Sequence, residues 1–130
     1  VKVMVATNAF GLGVNIPDIR LVIHHSPSIG LDEYIQEAGR AGRDGRQAKA
    51  VLLWHPYDFT INRGLIEKAK LQLTGKQRKE RLAALDALQA YAQDEEHCRW
   101  RMVRKFFGEP KGDRCYDQCD NCFCRDEDWL

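Results

Sequence analysis

An α/β fold with a parallel sheet, followed by a small helical hairpin that carries a cysteine cluster, is the architecture this sequence predicts. Three observations carry it. Short, nearly continuous apolar runs in the first half are separated by crossover-length segments, which suits parallel strands covered by helices. Leucines then recur every third residue along one stretch, as on a helix face. All five cysteines, Cys98, Cys115, Cys119, Cys122 and Cys124, lie after residue 97.

Taken in order, residues 1–6 form a short apolar strand that runs into a glycine-containing turn, Thr7-Asn8-Ala9-Phe10-Gly11-Leu12-Gly13. Leu21-Val22-Ile23-His24-His25 reads as a second, buried-type strand. Ser28-Ile29-Gly30 breaks the chain before a helix that Asp32 or a neighbour caps. That helix carries Tyr34, Ile35 and Ala38 on its apolar face and stops in Gly42 and Gly45. Residues 49–55 form a third strand. After Pro56 the pattern changes: residues 60–73 read as helix, Thr74-Gly75 as a break, and residues 76–96 as a long helix with Leu82, Leu85, Leu88 and Tyr91 on one face. Met102, Val103, Phe106 and Phe107 supply a second apolar face that ends at Gly108, so two helices meeting at Cys98 fold as a hairpin over a metal site. The boundary between the units falls within residues 56–75 and is placed at its end, giving units of residues 1–75 and 76–130.

With 44% hydrophobic and 30% charged residues, the chain is too apolar for a disordered segment and can fill one modest core. No apolar run approaches the roughly 20 residues that span a bilayer, so the expectation is a soluble intracellular protein with no membrane partner, nuclear if its source is eukaryotic. The chain starts without methionine on residues that alternate like the middle of a strand, as an excised piece of a longer protein does. The 20 Lys+Arg nearly balance the 19 Asp+Glu, but they are segregated. Lys76, Arg78, Lys79 and Arg81 cluster around one acid, Arg99, Arg101, Arg104 and Lys105 around none, and the tail is acidic. On charge alone two readings stand for the basic clusters, a phosphate-facing surface or a solvated helix face.

An odd number of cysteines crowded into the end of a chain without a secretory signal favours metal ligation over a disulfide framework. In Cys98-x16-Cys115-x3-Cys119-x2-Cys122, the last pair forms a C-x-x-C knuckle and the more distant pair completes a tetrahedron, the closed four-thiolate site of a structural Zn2+. Cys124 is the spare, with its replacement of Cys98 as the alternative. His97, beside Cys98, is a competitor for the metal, whereas His24 and His25 read as ordinary strand-end residues.

In Gln36-Glu37-Ala38-Gly39-Arg40-Ala41-Gly42-Arg43-Asp44-Gly45, continuation of the helix would put Gln36, Arg40 and Arg43 on one side, at spacings of four and three. Planar guanidinium forks suit the spread charge of a phosphoryl group, and the glycines let backbone approach closely. This stretch resembles motif VI of superfamily 2 helicases, with wording nearest to the RecQ family. Twenty residues upstream, Ala6-Thr7-Asn8-Ala9-Phe10-Gly11-Leu12-Gly13-Val14-Asn15-Ile16-Pro17-Asp18 resembles RecQ motif V, although Ile16 stands where the family often carries Lys. The cysteine spacing, Arg99-Trp100-Arg101 and Phe106-Phe107-Gly108-Glu109 resemble the zinc-binding subdomain of that family.

The resemblance implies the end of a second RecA-like domain followed by a helical-hairpin zinc subdomain. It implies that Arg40 and Arg43 reach the γ-phosphate of ATP bound by a partner domain, Arg43 as the arginine finger, with Gln36 sensing the same nucleotide. Asn15 matches the position that couples the nucleotide site to the strand path. Thr7 either holds a DNA phosphate or caps its own turn, and Arg99, Arg101 and Arg104 become candidate DNA contacts. No G-x-x-x-x-G-K-[ST] loop occurs in the sequence, so ATP and Mg2+ require the N-terminal RecA-like domain, and this stretch alone is expected to be inactive. The implied parent is an ATP-dependent 3′-to-5′ DNA helicase acting on single strands and duplex junctions in unwinding, recombination and repair. A non-catalytic zinc and DNA binding module competes with that reading, and an RNA helicase of the same superfamily is a third.

Overall fold

Two short apolar runs build the sheet. In the computed structural model, which describes residues 3–7, 15–68, 73–110, 115 and 118–123, Leu21–His24 (β1) pairs in parallel with Lys49–Leu52 (β2), Leu21 opposite Lys49 and His24 opposite Leu52. Parallel neighbours need a crossover, and the helix Leu31–Ala38 (α1) provides it. The strand expected at residues 1–6 does not appear in its described part: residues 3–6 carry no ladder, and Val3 and Val5 are 80% and 95% exposed. An apolar run becomes a strand only against a partner, and β1 and β2 bond to each other. Gly11, Gly13, residues 69–72 and Cys124 lie outside the described residues.

The sheet is covered on one face only, where buried-type strands had been expected. Leu21 and Ile23, with Val51 opposite Ile23, are exposed, whereas Val22, His24 and Leu52 turn toward the helices. β2 is also shorter than expected because His55 leaves the strand to cap the helix Pro56–Glu67 (α2). The His55 ring accepts from the Tyr57 N–H at 3.2 Å and the His55 N–H donates to Asp58 at 2.8 Å. Pro56 then starts the helix without losing a bond, since its missing N–H falls among the orphan donors of the first turn. The helix expected from residue 60 therefore begins four residues earlier, counting from Pro56.

A reciprocal capping box opens the next helix, Gly75–Gln93 (α3): Thr74 accepts from the Gln77 N–H at 3.2 Å and donates its own N–H to Gln77 at 2.9 Å. It ends before the expected residue 96 because Asp94 takes the N–H groups of Glu96 and His97 at 2.8 and 2.6 Å. A short turn leads to Arg99–Phe106 (α4), which Gly108 closes at a φ of 75°. One turn of helix, Asp120–Phe123 (α5), carries the end of the cysteine cluster.

The core joins three helices. Leu31 and Tyr34 of α1, Phe59 and Ile66 of α2, and Leu85, Leu88 and Ala92 of α3 form one buried cluster, with Leu82 and Tyr91 packed against it. The leucine stripe read from the sequence is thus the inner face of α3. Each fully buried Leu, Ile or Phe contributes about 1.5–3 kcal/mol through burial. α1 meets α3 at Gly30, where a Cβ would lie 2.9 Å from that of Ala84. Of the candidates for the cap, Asp32 or a neighbour, it is Gly30 that stands at the N-cap of α1, without a side-chain bond, while Asp32 pairs with Arg81 of α3 at 2.5 Å. The second apolar face turns inward only in part: Val103 is buried, whereas Phe106 and Phe107 stack edge-on and stay exposed.

Candidate metal centre and arginine turn

The cysteines gather where α3 and α4 meet. Cys98 is the N-cap residue of α4, Cys119 precedes α5 and Cys122 sits within it. The ligand atoms of Cys98, Cys115, Cys119 and Cys122 all lie within 4.8 Å of one another. Sulfurs bound tetrahedrally to Zn2+ at about 2.3 Å stand about 3.8 Å apart, so the set closes on a single ion with small adjustments. Cys98 and Cys122 are buried and Cys115 and Cys119 half-buried, and four thiolates would fill a tetrahedral ion, the closed form of a structural site.

Burial opposes charge on the Cys98 thiol. Hydrogen bonds from the backbone of Arg101 and Cys115 and from the neighbouring thiols outweigh it and bring Cys98 down to about 6. Burial and the surrounding thiols push Cys122 up to about 12. A metal resolves the conflict by replacing the shared protons, since thiolate is the ligating form. Zn2+ fits this donor set in number, softness and closure.

The knuckle is held from outside by residues the sequence reading passed over. Asn121, buried, donates its amide to the carbonyls of Asp94 and His97 at 2.9 and 2.8 Å, fixing the turn that delivers Cys98. Asp120 receives the Arg99 guanidinium through Nε at 2.5 Å and Nη2 at 2.9 Å, while Nη1 donates to the Tyr91 carbonyl. The fork of Arg99, a candidate DNA contact in the sequence, is held within the chain, as a half-buried cation requires a partner. Their signal was present, since Asp120 and Asn121 are the two residues inside the C-x-x-C. His97 pairs with Asp94 at 2.7 Å and is not part of the thiol cluster.

The second site is the turn after α1. The helix ends at Ala38, so Arg40 and Arg43 do not continue the face of Gln36 as the spacing had implied. Gly42 and Gly45 adopt φ of 67° and 81°, and a Cβ on Gly42 would lie 2.8 Å from the Arg46 carbonyl. These left-handed positions require glycine and fold the chain back on residues 15–20. There the Gly42 and Asp44 N–H groups donate to Ile19 and Pro17 at 2.9 Å each. Arg20 clamps the turn through Asp44 at 2.5 Å and the Gln47 carbonyl at 3.0 Å. Nothing in the local pattern singled out Arg20.

This folding-back brings Asn15 and Arg43 together: Arg43 Nη1 donates to Asn15 Oδ1 at 3.1 Å. Gln36 and Arg43 are exposed and Arg40 is half-buried. Thr7 is exposed and outside any strand, rather than closing one as expected. Arg101 and the loosely paired Arg104, 3.9 Å from Glu109, lie on the exposed side of α4. The basic start of α3 divides: Lys76 and Lys79 are exposed, while Arg81 binds Asp32 and Glu33. No helix among the described residues is long and apolar enough to cross a membrane.

Fold and site together define a cluster of four thiols able to hold a metal ion, carried by helices that share a core with the helix crossing a small parallel sheet. Two family descriptions match it. Residues 56–123 match the RecQ zinc-binding family and residues 1–45 the helicase conserved C-terminal domain. The chain belongs to the RecQ family, through its zinc-binding region. It is 40% identical over 121 residues to the ATP-dependent DNA helicase RecQ of Bacillus subtilis, covering 93% of this chain and 20% of that protein. It is 38% identical over 128 residues to the ATP-dependent DNA helicase Q1 of Rattus norvegicus, covering 97% and 19%. With the ATP-dependent DNA helicase Q-like 2 of Arabidopsis thaliana it shares 38% over 123 residues, 93% of this chain and 16% of that protein. The chain therefore spans a fifth or less of these relatives.

Proposed function

We propose that this chain is the nucleotide-sensing and zinc-stapled part of an ATP-dependent 3′-to-5′ DNA helicase, acting in unwinding, recombination and repair. The observation that carries the reading is the contact of Arg43 with Asn15. It places a guanidinium of the motif VI-like turn on the residue that matches the coupling position of motif V. Arg43 is the arginine finger, reaching the γ-phosphate of an ATP held with Mg2+ by an N-terminal RecA-like domain, with Arg40 and Gln36 contacting the same nucleotide. Such a cation acts where charge develops in phosphoryl transfer. Asn15 hands the state of that site to the strand path, where Thr7 holds a phosphate.

The division into an α/β unit of residues 1–75 and a zinc-bearing unit of residues 76–130 follows the same reading, as does a nuclear location in a eukaryotic source. DNA contacts fall on the exposed Arg101 and Arg104 of α4, and Arg99 supports the metal site beside them. The test is Arg43→Ala in the full-length protein that contains this chain. ATP turnover is lost while ATP and DNA binding persist; equal loss of nucleotide binding would overturn the finger assignment.

A further inference from the structure

A file of side chains runs from the cysteine site to the helix that precedes the arginine turn. Inside the C-x-x-C, Asp120 holds Arg99 by two hydrogen bonds. The Arg99 guanidinium lies 5.1 Å from the centre of the Tyr91 ring, within cation–π range, and also binds the Tyr91 carbonyl. Tyr91 packs on Tyr34 at 5.6 Å between ring centres. Tyr34 meets the edge of His24 at 4.9 Å. His24 Nε2 faces Glu37 Oε2 at 2.6 Å, and Ser28 donates to the same oxygen at 2.8 Å. Glu37 is the next-to-last residue of α1, directly before the turn that carries Arg40 and Arg43.

We propose that the chain Asp120, Arg99, Tyr91, Tyr34, His24 and Glu37 is a mechanical link through which the metal site positions the end of α1 and the arginine turn. Every joint is directional or close-packed, and Tyr34 is buried, so displacement at one end has no slack in which to dissipate. The side of His24 away from Glu37 is equally closed, its Nδ1 being buried without a partner. With the metal bound, Asp120 is fixed by the flanking Cys119 and Cys122, and Arg99 holds Tyr91 against Tyr34. Loss of the metal frees Asp120, and the file loosens from that end. Coupling of this kind is reciprocal: what disturbs Glu37 must also weaken the hold on the metal. The link itself is independent of any nucleotide; that it steers ATP chemistry rests on the function proposed above.

The test uses the zinc-loaded chain and needs no ATP. Arg99→Lys keeps the charge but loses the fork, and it leaves all four cysteines in place. With one Zn2+ still bound per chain, it should move the His24 ring signals in NMR spectra and leave those of His55, which caps α2 off the file, where they were. Should that variant not retain the metal, Tyr91→Leu takes its place, with Tyr91→Phe expected to restore the His24 signals by keeping a ring under Arg99. In the reverse direction, Glu37→Gln should lower the affinity for Zn2+ at least about fivefold, read at equilibrium in competition with a chromogenic chelator. His55→Ala, which removes a helix cap without touching the file, should not. Unmoved His24 signals, or a loss of zinc affinity as large in His55→Ala as in Glu37→Gln, would overturn the link. Neither result bears on whether Arg43 serves as a finger.

Discussion

The guanidinium of Arg43 rests on the side-chain amide of Asn15, 3.1 Å from donor to acceptor, across 28 residues of sequence. An exposed, charge-assisted bond of this kind is worth little to stability, so its value lies in where it holds the fork. Asn15→Ala in the full-length protein should leave folding unchanged and uncouple ATP turnover from DNA. Stimulation of ATP hydrolysis by DNA, compared with the basal rate, measures it.

Arg43→Ala should lower ATP turnover on the order of a thousandfold, the usual scale for an arginine finger. Arg43→Lys should fail nearly as badly, because a point charge cannot reproduce the planar fork. Steady-state rates beside independently measured nucleotide affinity separate a transition-state role from ground-state binding.

Gly42→Ala should destabilise the zinc-loaded chain by about 1–3 kcal/mol. The φ of 67° is unfavourable for alanine, and the new Cβ would stand 2.8 Å from the Arg46 carbonyl, a backbone atom that cannot swing aside. Urea denaturation of the two chains gives the difference directly.

Burial would raise the Asp94 carboxyl, but the N–H groups of His97 and Glu96 and the His97 ring outweigh it, holding the carboxyl at about 2 against an ordinary 3.8. A depressed folded value means stability that is present above about pH 4 and lost as pH falls toward about 2. Asp94→Asn should remove that dependence. The gap in denaturation midpoint between the two chains should therefore narrow steadily over this interval.

DNA binding by the chain itself should be weak and steeply salt-dependent, carried by exposed cations on α4. Replacing Arg101 and Arg104 together should flatten the slope of affinity against salt by about 1.4 in the log–log plot on a single strand. Arg99→Gln, in a chain that retains its metal, should leave the slope unchanged, because the guanidinium it removes is turned onto Asp120. Fluorescence anisotropy with a single-stranded oligonucleotide across a salt series distinguishes these outcomes.

Periodicity made much of this legible in the sequence. The stripe of Leu82, Leu85, Leu88 and Tyr91 became the inner face of α3, and the cysteine spacing named the four thiols that converge. Helix ends were harder. His55 and Asp94 are polar residues whose side chains recruit nearby N–H groups, and these local bonds moved boundaries that apolar spacing cannot register. The arginine turn was misread because periodicity extends a helix until something stops it, and here α1 ended at Ala38, before the glycines at 42 and 45. Partnerships across long separations, Arg20 with Asp44 and Arg99 with Asp120, carry no local signature; they exist only once the fold brings the charges together.

Elemental analysis of the purified chain tests the central claim most directly. A core made of Val103 and a few residues of α3 is too small to hold α4 and the knuckle in place, whereas a structural zinc contributes on the order of 10 kcal/mol in peptides near neutral pH. The account predicts one Zn2+ per chain, lost together with helix content on Cys119→Ser and retained on Cys124→Ser. A metal-free chain with its full helix content, or zinc that survives removal of Cys98 but not of Cys124, would contradict it.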